Sequence, residues 1–232
     1  MDKPTPSTRD RILEAAGKLF YAEGLRAVSM DGIAETAGVT KRTLYYHFRS
    51  KDDLIAAWLE MRDQPNLAAF QHWFARAEGD VADKIRAIFD NLARSARRRT
   101  WKGCGFLRAS VELVNMPGHP AIVAARAHKM RVEGWLCSVL RDAGLEAGAE
   151  TLARQIILLL DGAFAVVLLH RDPAYFEAAG QAAATLIRKG RDQVSDRSRG
   201  GNMRGETRQT LSARGCRSAL MQHHSAVSPK RT

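Results

Sequence analysis

Between Ser29 and Lys51 the chain reads SMDGIAETAGVTKRTLYYHFRSK, and this stretch collects side chains suited to gripping a polyanion. Thr40, Lys41, Arg42, Thr43, Tyr45, Tyr46 and His47 follow one another with Leu44 as the single apolar interruption. From Lys41 to Lys51 there are four formal positive charges, Lys41, Arg42, Arg49 and Lys51, and no acid. A lysine can donate to guanine acceptors and a threonine methyl can meet a thymine methyl, while hydroxyl, imidazole and ammonium groups bind phosphate oxygens. The chemistry on offer is recognition of duplex DNA; the alternative is a small helical module in which Tyr45, Tyr46 and Phe48 are only core aromatics.

Such a surface works only if neighbouring elements hold it outward. Ser7 with Asp10 marks the start of a first helix whose Ile12, Leu13, Ala16, Leu19 and Phe20 share one face, with Gly24 as its stop. A short second helix follows Ser29, turns Ile33, Ala34 and Ala37 inward and ends at Gly38; a third runs from about Lys41 to His47 and buries Leu44 and Phe48. Two short helices joined at Ala37-Gly38-Val39, with small Ala34 at their crossing, are the sequence form of a helix-turn-helix. Ser50 with Asp53 opens a fourth helix expected to reach about Asp63, before Pro65.

These residues resemble the tetracycline-repressor (TetR) family of bacterial regulators, whose hallmark matches Gly38-Val39, a threonine, Leu44, the aromatic pair, His47, Phe48 and Lys51 here. The likeness extends from Ser7 to Trp58. It implies that Lys41, Arg42 and Tyr45 touch base edges, that Ser29, Thr43, Tyr46, His47 and Lys51 grip phosphates, and that Thr40 serves either purpose. It further implies a helical second domain that binds a small-molecule effector, and a homodimer formed through the last two helices. Asp31 departs from the pattern: some relatives carry a base-contacting cation there, and an acid repels phosphate, although it also suits a helix N-terminus.

The rest of the chain keeps a helical period, over Leu67 to Ala77, Val81 to Arg98, Phe106 to Asn115, Pro120 to Asp142, Ala149 to His170 and Ala174 to Lys189. The expected fold is therefore all-α, with a DNA-binding domain over residues 1–64, an effector-binding and dimerisation domain over 65–190, and a basic tail over 191–232 expected to lack order. Ala149 to His170 and the alanine-rich helix after Pro173 suit a dimer interface, or else they complete the core of one chain. Trp101, Cys104, Phe106, Met130 and Trp135, with Met116 and His128, form a pool of candidate pocket residues that would serve equally as ordinary core. Cys104, between two glycines and near Arg97, Arg98, Arg99 and Lys102, is either a reactive thiol or an inert cysteine at a turn.

Composition narrows the remaining classes. The chain of 232 residues carries a formal net charge of +11, and the segment from Arg191 to Thr232 holds nine basic and three acidic residues, so more than half of the excess lies in the tail. Residues 1–64 sum to zero. A non-specific binder driven by the tail is thus the main competitor to a specific one, because a basic segment binds phosphates through counterion release. Three scattered cysteines suggest neither a disulfide framework nor a metal centre and fit a reducing cytoplasm, and no cofactor motif is present. The run Ile156 to Leu169, interrupted by Asp161-Gly162, reads as too short to span a membrane. A hydrolase built on Cys104 with His119 or His128 lacks an orienting acid and an oxyanion-hole motif, so the expectation is a transcriptional regulator, a repressor released by its effector, and not an enzyme.

Overall fold

The structure, a computed structural model, describes residues 5–200, with side chains placed through 192. Among the described residues the regular secondary structure is entirely helical. Helix α1 (Thr8–Glu23) starts in a complete capping box: the Ser7 hydroxyl accepts from the Asp10 N–H at 3.1 Å, and the Asp10 carboxylate accepts from the Ser7 N–H at 3.3 Å. Helix α2 (Met30–Ala37) begins at the Ser29 hydroxyl and ends at Gly38, whose φ of +64° lies in the left-handed region that a side chain would penalise. Helix α3 (Lys41–His47) is capped by Thr40 and closes at extended Phe48.

Helix α4 (Lys51–Arg76) corrects the expected stop near Asp63: it passes through Pro65 and absorbs the segment read as a separate helix from Leu67. Proline inside a helix removes a hydrogen bond and costs about 3 kcal/mol. The ring of Pro65 is exposed, and continuing the helix lets Leu54, Ile55, Trp58 and Leu59 bury in one core while Leu67, Phe70, Trp73 and Phe74 pack on another. Burial of those four residues outweighs the single lost bond.

The remaining elements are α5 (Val81–Ala96), α6 (Gly105–Glu112), α7 (Pro120–Asp142), a 3-10 turn at Glu146–Gly148, α8 (Ala149–His170) and α9 (Ala174–Gly200). Ile12, Leu13, Phe20, Ile33, Leu44 and Phe48 form the head core with the first turns of α4, and Phe106, Ala109 and Leu113 of α6 and Ala121, Ala124 and Ala125 of α7 complete it. A second core joins α5, α7, α8 and α9 around Phe89, Leu136, Ile156 and Phe176. Helix α4 packs chiefly on α7, and α7 on α8.

Two further expectations change. Helix α8 is continuous through Asp161-Gly162 and, with the preceding 3-10 turn, is long and apolar enough to cross a membrane by length and composition. Its Asp161 pairs with Lys129 of α7, and Leu152, Ile156, Leu160 and Val167 are buried in the second core. The sequence places the loss of order after Gly190, yet α9 continues to Gly200, with Arg188 and Arg191 paired to Asp83 at 2.7 Å and Asp80 at 3.0 Å at the start of α5. The tail expectation for residues 201–232 lies outside the described residues.

Candidate nucleic-acid interface

Leu44 is fully buried and Phe48 nearly so, which seats α3 on the head core by one edge and leaves the other edge outward. Along that outer edge Thr40, Lys41, Arg42, Tyr45 and Tyr46 are exposed, while Thr43 and His47 are half-buried. Tyr46 is 85% exposed and Tyr45 43%, so of the three aromatics Phe48 alone is core. The Tyr46 ring meets His47 edge-on at 5.2 Å, holding both rings on one side of the helix.

Capping shapes the polar atoms. Thr40 Oγ1 accepts from the Thr43 N–H at 3.1 Å and lies 2.8 Å from Thr43 Oγ1, and Ser29 Oγ accepts from the Gly32 N–H at 3.0 Å. Each capping hydroxyl uses a lone pair on the backbone, which leaves hydroxyl protons at Ser29 and in the Thr40–Thr43 pair able to donate to a phosphate. Lys51 is half-buried; its ammonium donates to the Arg26 carbonyl at 2.9 Å, and burial holds its pKa below the ordinary lysine value. One of its three protons is thereby committed and two remain. Lys41 is paired with Asp31 at 2.8 Å, and the hydrogen bond its ammonium donates to that carboxylate, with the carboxylate's charge, raises the lysine pKa. Asp31 therefore screens the cation expected to read bases, a pairing not read from the sequence.

Other missed residues hold the head in place. Arg11 Nη2 donates to the carbonyls of Ala37 at 2.7 Å and Gly38 at 3.2 Å, satisfying acceptors at the end of α2 from α1. Glu112, at the end of α6, accepts from the Leu25 N–H at 2.7 Å and the Arg26 N–H at 3.3 Å, and Arg108 of α6 donates to the carbonyls of Tyr21 and Phe20. His119, the cap of α7, accepts from the Ala121 N–H at Nδ1 and faces Asp52 at 3.2 Å through Nε2. Apart from the local His119 cap, these contacts bridge many residues of sequence, so no local pattern announces them.

A cavity of about 390 Å³ lies between α4, α5, α7 and α8 and the segment leading into α6. Of the pool named from sequence, Trp101, Cys104 and His128 line it. Phe106 is buried behind it, stacked on the His128 ring at 3.8 Å; Trp135 packs edge-on against Phe74; Met116 and Met130 are exposed. His128 is itself buried, its Nδ1 2.6 Å from Asp63 Oδ1, and desolvation lowers its pKa against the opposing pull of that carboxylate. Arg62 and Tyr21, which the sequence did not single out, also line the cavity.

Residues 12–58 match the family model described as bacterial regulatory proteins, tetR family. The chain is 43% identical over 96 residues to the HTH-type transcriptional regulator TtgR of Pseudomonas putida, covering 40% of this chain and 46% of that protein. It is 33% identical over 89 residues to the HTH-type transcriptional regulator AcrR of Shigella flexneri, covering 38% and 41%. The matched stretch thus spans under half the length of these relatives. Among solved structures, SCO4454, a TetR-family transcriptional regulator from Streptomyces coelicolor, superposes with a TM-score of 0.67 at 31% identity, covering 80% of this chain and 95% of that one. A TetR transcriptional regulator from Legionella pneumophila, at 24% identity and a TM-score of 0.69, shares the fold. These are regulators and not enzymes, and the likeness reaches well beyond the head into the helices around the cavity; with a helix-turn-helix whose hallmark residues stand in order on a matching scaffold, this chain belongs to the TetR family of bacterial regulators.

Proposed function

We propose that the protein is a sequence-specific DNA-binding transcriptional regulator, a repressor that leaves its operator when a small-molecule effector enters the cavity. The observation that carries this reading is the outer edge of α3, where exposed Thr40, Lys41, Arg42, Tyr45 and Tyr46 project from a helix anchored by buried Leu44. A helix so mounted fits the major groove, with Lys41, Arg42 and Tyr45 at base edges and Ser29, Thr43, Tyr46, His47 and Lys51 on phosphates. Residues 1–64 would supply the DNA contacts, and residues 65–190 the effector and dimer contacts. In support of release, the cavity adjoins the start of α6, which holds the last turn of α1 through Arg108 and the loop after it through Glu112. An effector acts only through its differential affinity for the bound and released states.

Pairing of two copies through α8 and α9 is supported by apolar side chains of α8 left uncovered in one chain. Leu158 is 71% exposed and Leu169 79%. A two-fold dimer would present two recognition helices to half-sites about one helical turn, or a multiple, apart.

Selection of bound duplexes from a random pool tests the reading: a consensus should emerge. With that duplex, Lys51→Ala should weaken binding to every sequence and lower the salt slope by about one, whereas Lys41→Ala should change the preferred bases. No consensus, or an unaltered preference in Lys41→Ala, overturns the assignment of α3.

A further inference from the structure

We propose that the cavity takes an aromatic monoanion, an aryl carboxylate, with its ring against the aromatic walls and its carboxylate on Arg62 and Lys102. The proposal rests on the reading of the cavity as the effector site and gives that effector a chemical class. Three cations, Arg62, Lys102 and Lys129, line the cavity, and no acid does. Lys129 is neutralised by Asp161, whereas among the described residues no carboxylate pairs with Arg62 or Lys102. The cavity therefore carries uncompensated positive charge in a partly apolar enclosure, where a cationic guest is repelled and an anionic one is drawn in.

Arg62 adds a specific unmet donor. Its Nε is buried without a hydrogen-bond acceptor. Buried donors are almost always satisfied, so this orphaned one marks Arg62 as a side chain whose hydrogen bonding is incomplete within the chain. The guanidinium lies over the rings of Tyr21 at 4.9 Å and Trp58 at 5.7 Å, which fixes its plane before a ligand arrives. Guanidinium groups match carboxylates through two parallel hydrogen bonds. Helix α6 also begins here with Cys104 as a cap that makes no side-chain hydrogen bond, so its first amides add positive potential.

The other walls select an aromatic body. Trp101 lies parallel to Phe164, with centroids 6.3 Å apart, and Phe70 and Trp73 of α4, with centroids 5.8 Å apart, line the same cavity. A volume of about 390 Å³ suits a one- to two-ring molecule better than a nucleotide or a long lipid chain. His128 offers only Nε2 to the guest, since Nδ1 is committed to Asp63.

Calorimetry on the full chain with 2-naphthoate, 2-naphthylmethanol and 2-naphthylmethylamine tests the assignment, because the three differ chiefly in charge. Naphthoate should bind about tenfold or more tightly than the alcohol, as expected for charged hydrogen bonds, with the amine weakest. Arg62→Gln and Lys102→Gln should each shrink the preference for the carboxylate; Lys102 lies outside the helices, so its variant stays informative if Arg62→Gln fails to fold. Equal or tighter binding of the alcohol or the amine, no binding of naphthoate, or an intact preference in both variants would overturn the proposal. Adding the same probes to the complex with the selected duplex separates the two readings. Naphthoate that binds without releasing DNA defeats the effector mechanism and leaves the anion site standing; an alcohol that binds as tightly and releases DNA does the reverse.

Discussion

At the scale of single residues, charge pairing shapes the surface proposed to meet DNA. Lys41 and Asp31 are both well exposed, so their pairing contributes little to folding, but it sets a carboxylate beside the cation assigned to base edges. Asp31→Asn removes that repulsion toward phosphates, and binding to the selected duplex should tighten by roughly two- to fivefold at low salt, the range of an exposed pair. Fluorescence anisotropy at two salt concentrations reads this, and weaker binding would show that Asp31 matters more as the acid in the first turn of α2. A second residue-scale consequence lies at His128. Because burial lowers its folded pKa below the ordinary value of 6.5, the folded state binds its proton more weakly than the unfolded chain. Stability from this group is complete above 6.5 and is lost as pH falls below it toward the lowered folded value. Thermal melts should be level above about pH 7 and decline below it, and His128→Gln should flatten that decline; an identical pH profile in the variant would mean that other groups carry it.

At the scale of elements, capping chemistry was legible and long-range packing was not. The Ser7, Ser29 and Ser50 caps, the glycine turn at Gly38 and the outward face of α3 were readable because each depends on residues a few positions apart. Helices α7 and α8 likewise run between the residues expected. The path of α4 through Pro65 was hidden, since the compensating burial of Phe70 and Trp73 comes from helices far along the chain. The same reason explains the cavity: Trp101 and Cys104 were found by residue type, whereas Arg62 and Tyr21 face it only because α1, α4 and α6 meet there. One close approach inside the head went unread as well. A Cβ on Gly17 of α1 would lie 2.6 Å from Trp58 Nε1, and Trp58 is buried. Gly17→Ala gains up to about 1 kcal/mol of helix propensity, yet crowding a buried indole costs about 1–3 kcal/mol, so the net effect should be a melting temperature lowered by a few degrees. A melt at or above the parent value would show that the indole shifts freely.

At the scale of the whole molecule, the net positive charge and the proposed reading surface fall in different stretches of the sequence. Residues 1–64 carry no net charge, while residues 201–232 hold six basic side chains and one acid. Deleting 201–232 should lower affinity for random duplex and flatten its salt dependence while leaving the ranking of operator variants unchanged. The cut belongs after Gly200 and not after Gly190, because Arg191 is engaged with Asp80. A changed ranking in competition binding would assign the tail a part in recognition.

The proline within α4 has a mechanical consequence. Without an amide proton, Pro65 leaves the Met61 carbonyl short of its usual helical donor, and a rod that lacks one internal tie is more compliant there than elsewhere. That soft point falls within the stretch of α4 lining the cavity, between Arg62 and Asn66, and beyond the stretch carrying Trp58 and Leu54. Pro65→Ala would restore the tie and stiffen the rod. Such a variant should resist heat better by about 1–3 kcal/mol and transmit ligand occupancy to DNA release less completely. Gaining heat resistance with undiminished transmission would place the flexing elsewhere, in the contacts that α6 makes with the loop at Leu25 and Arg26.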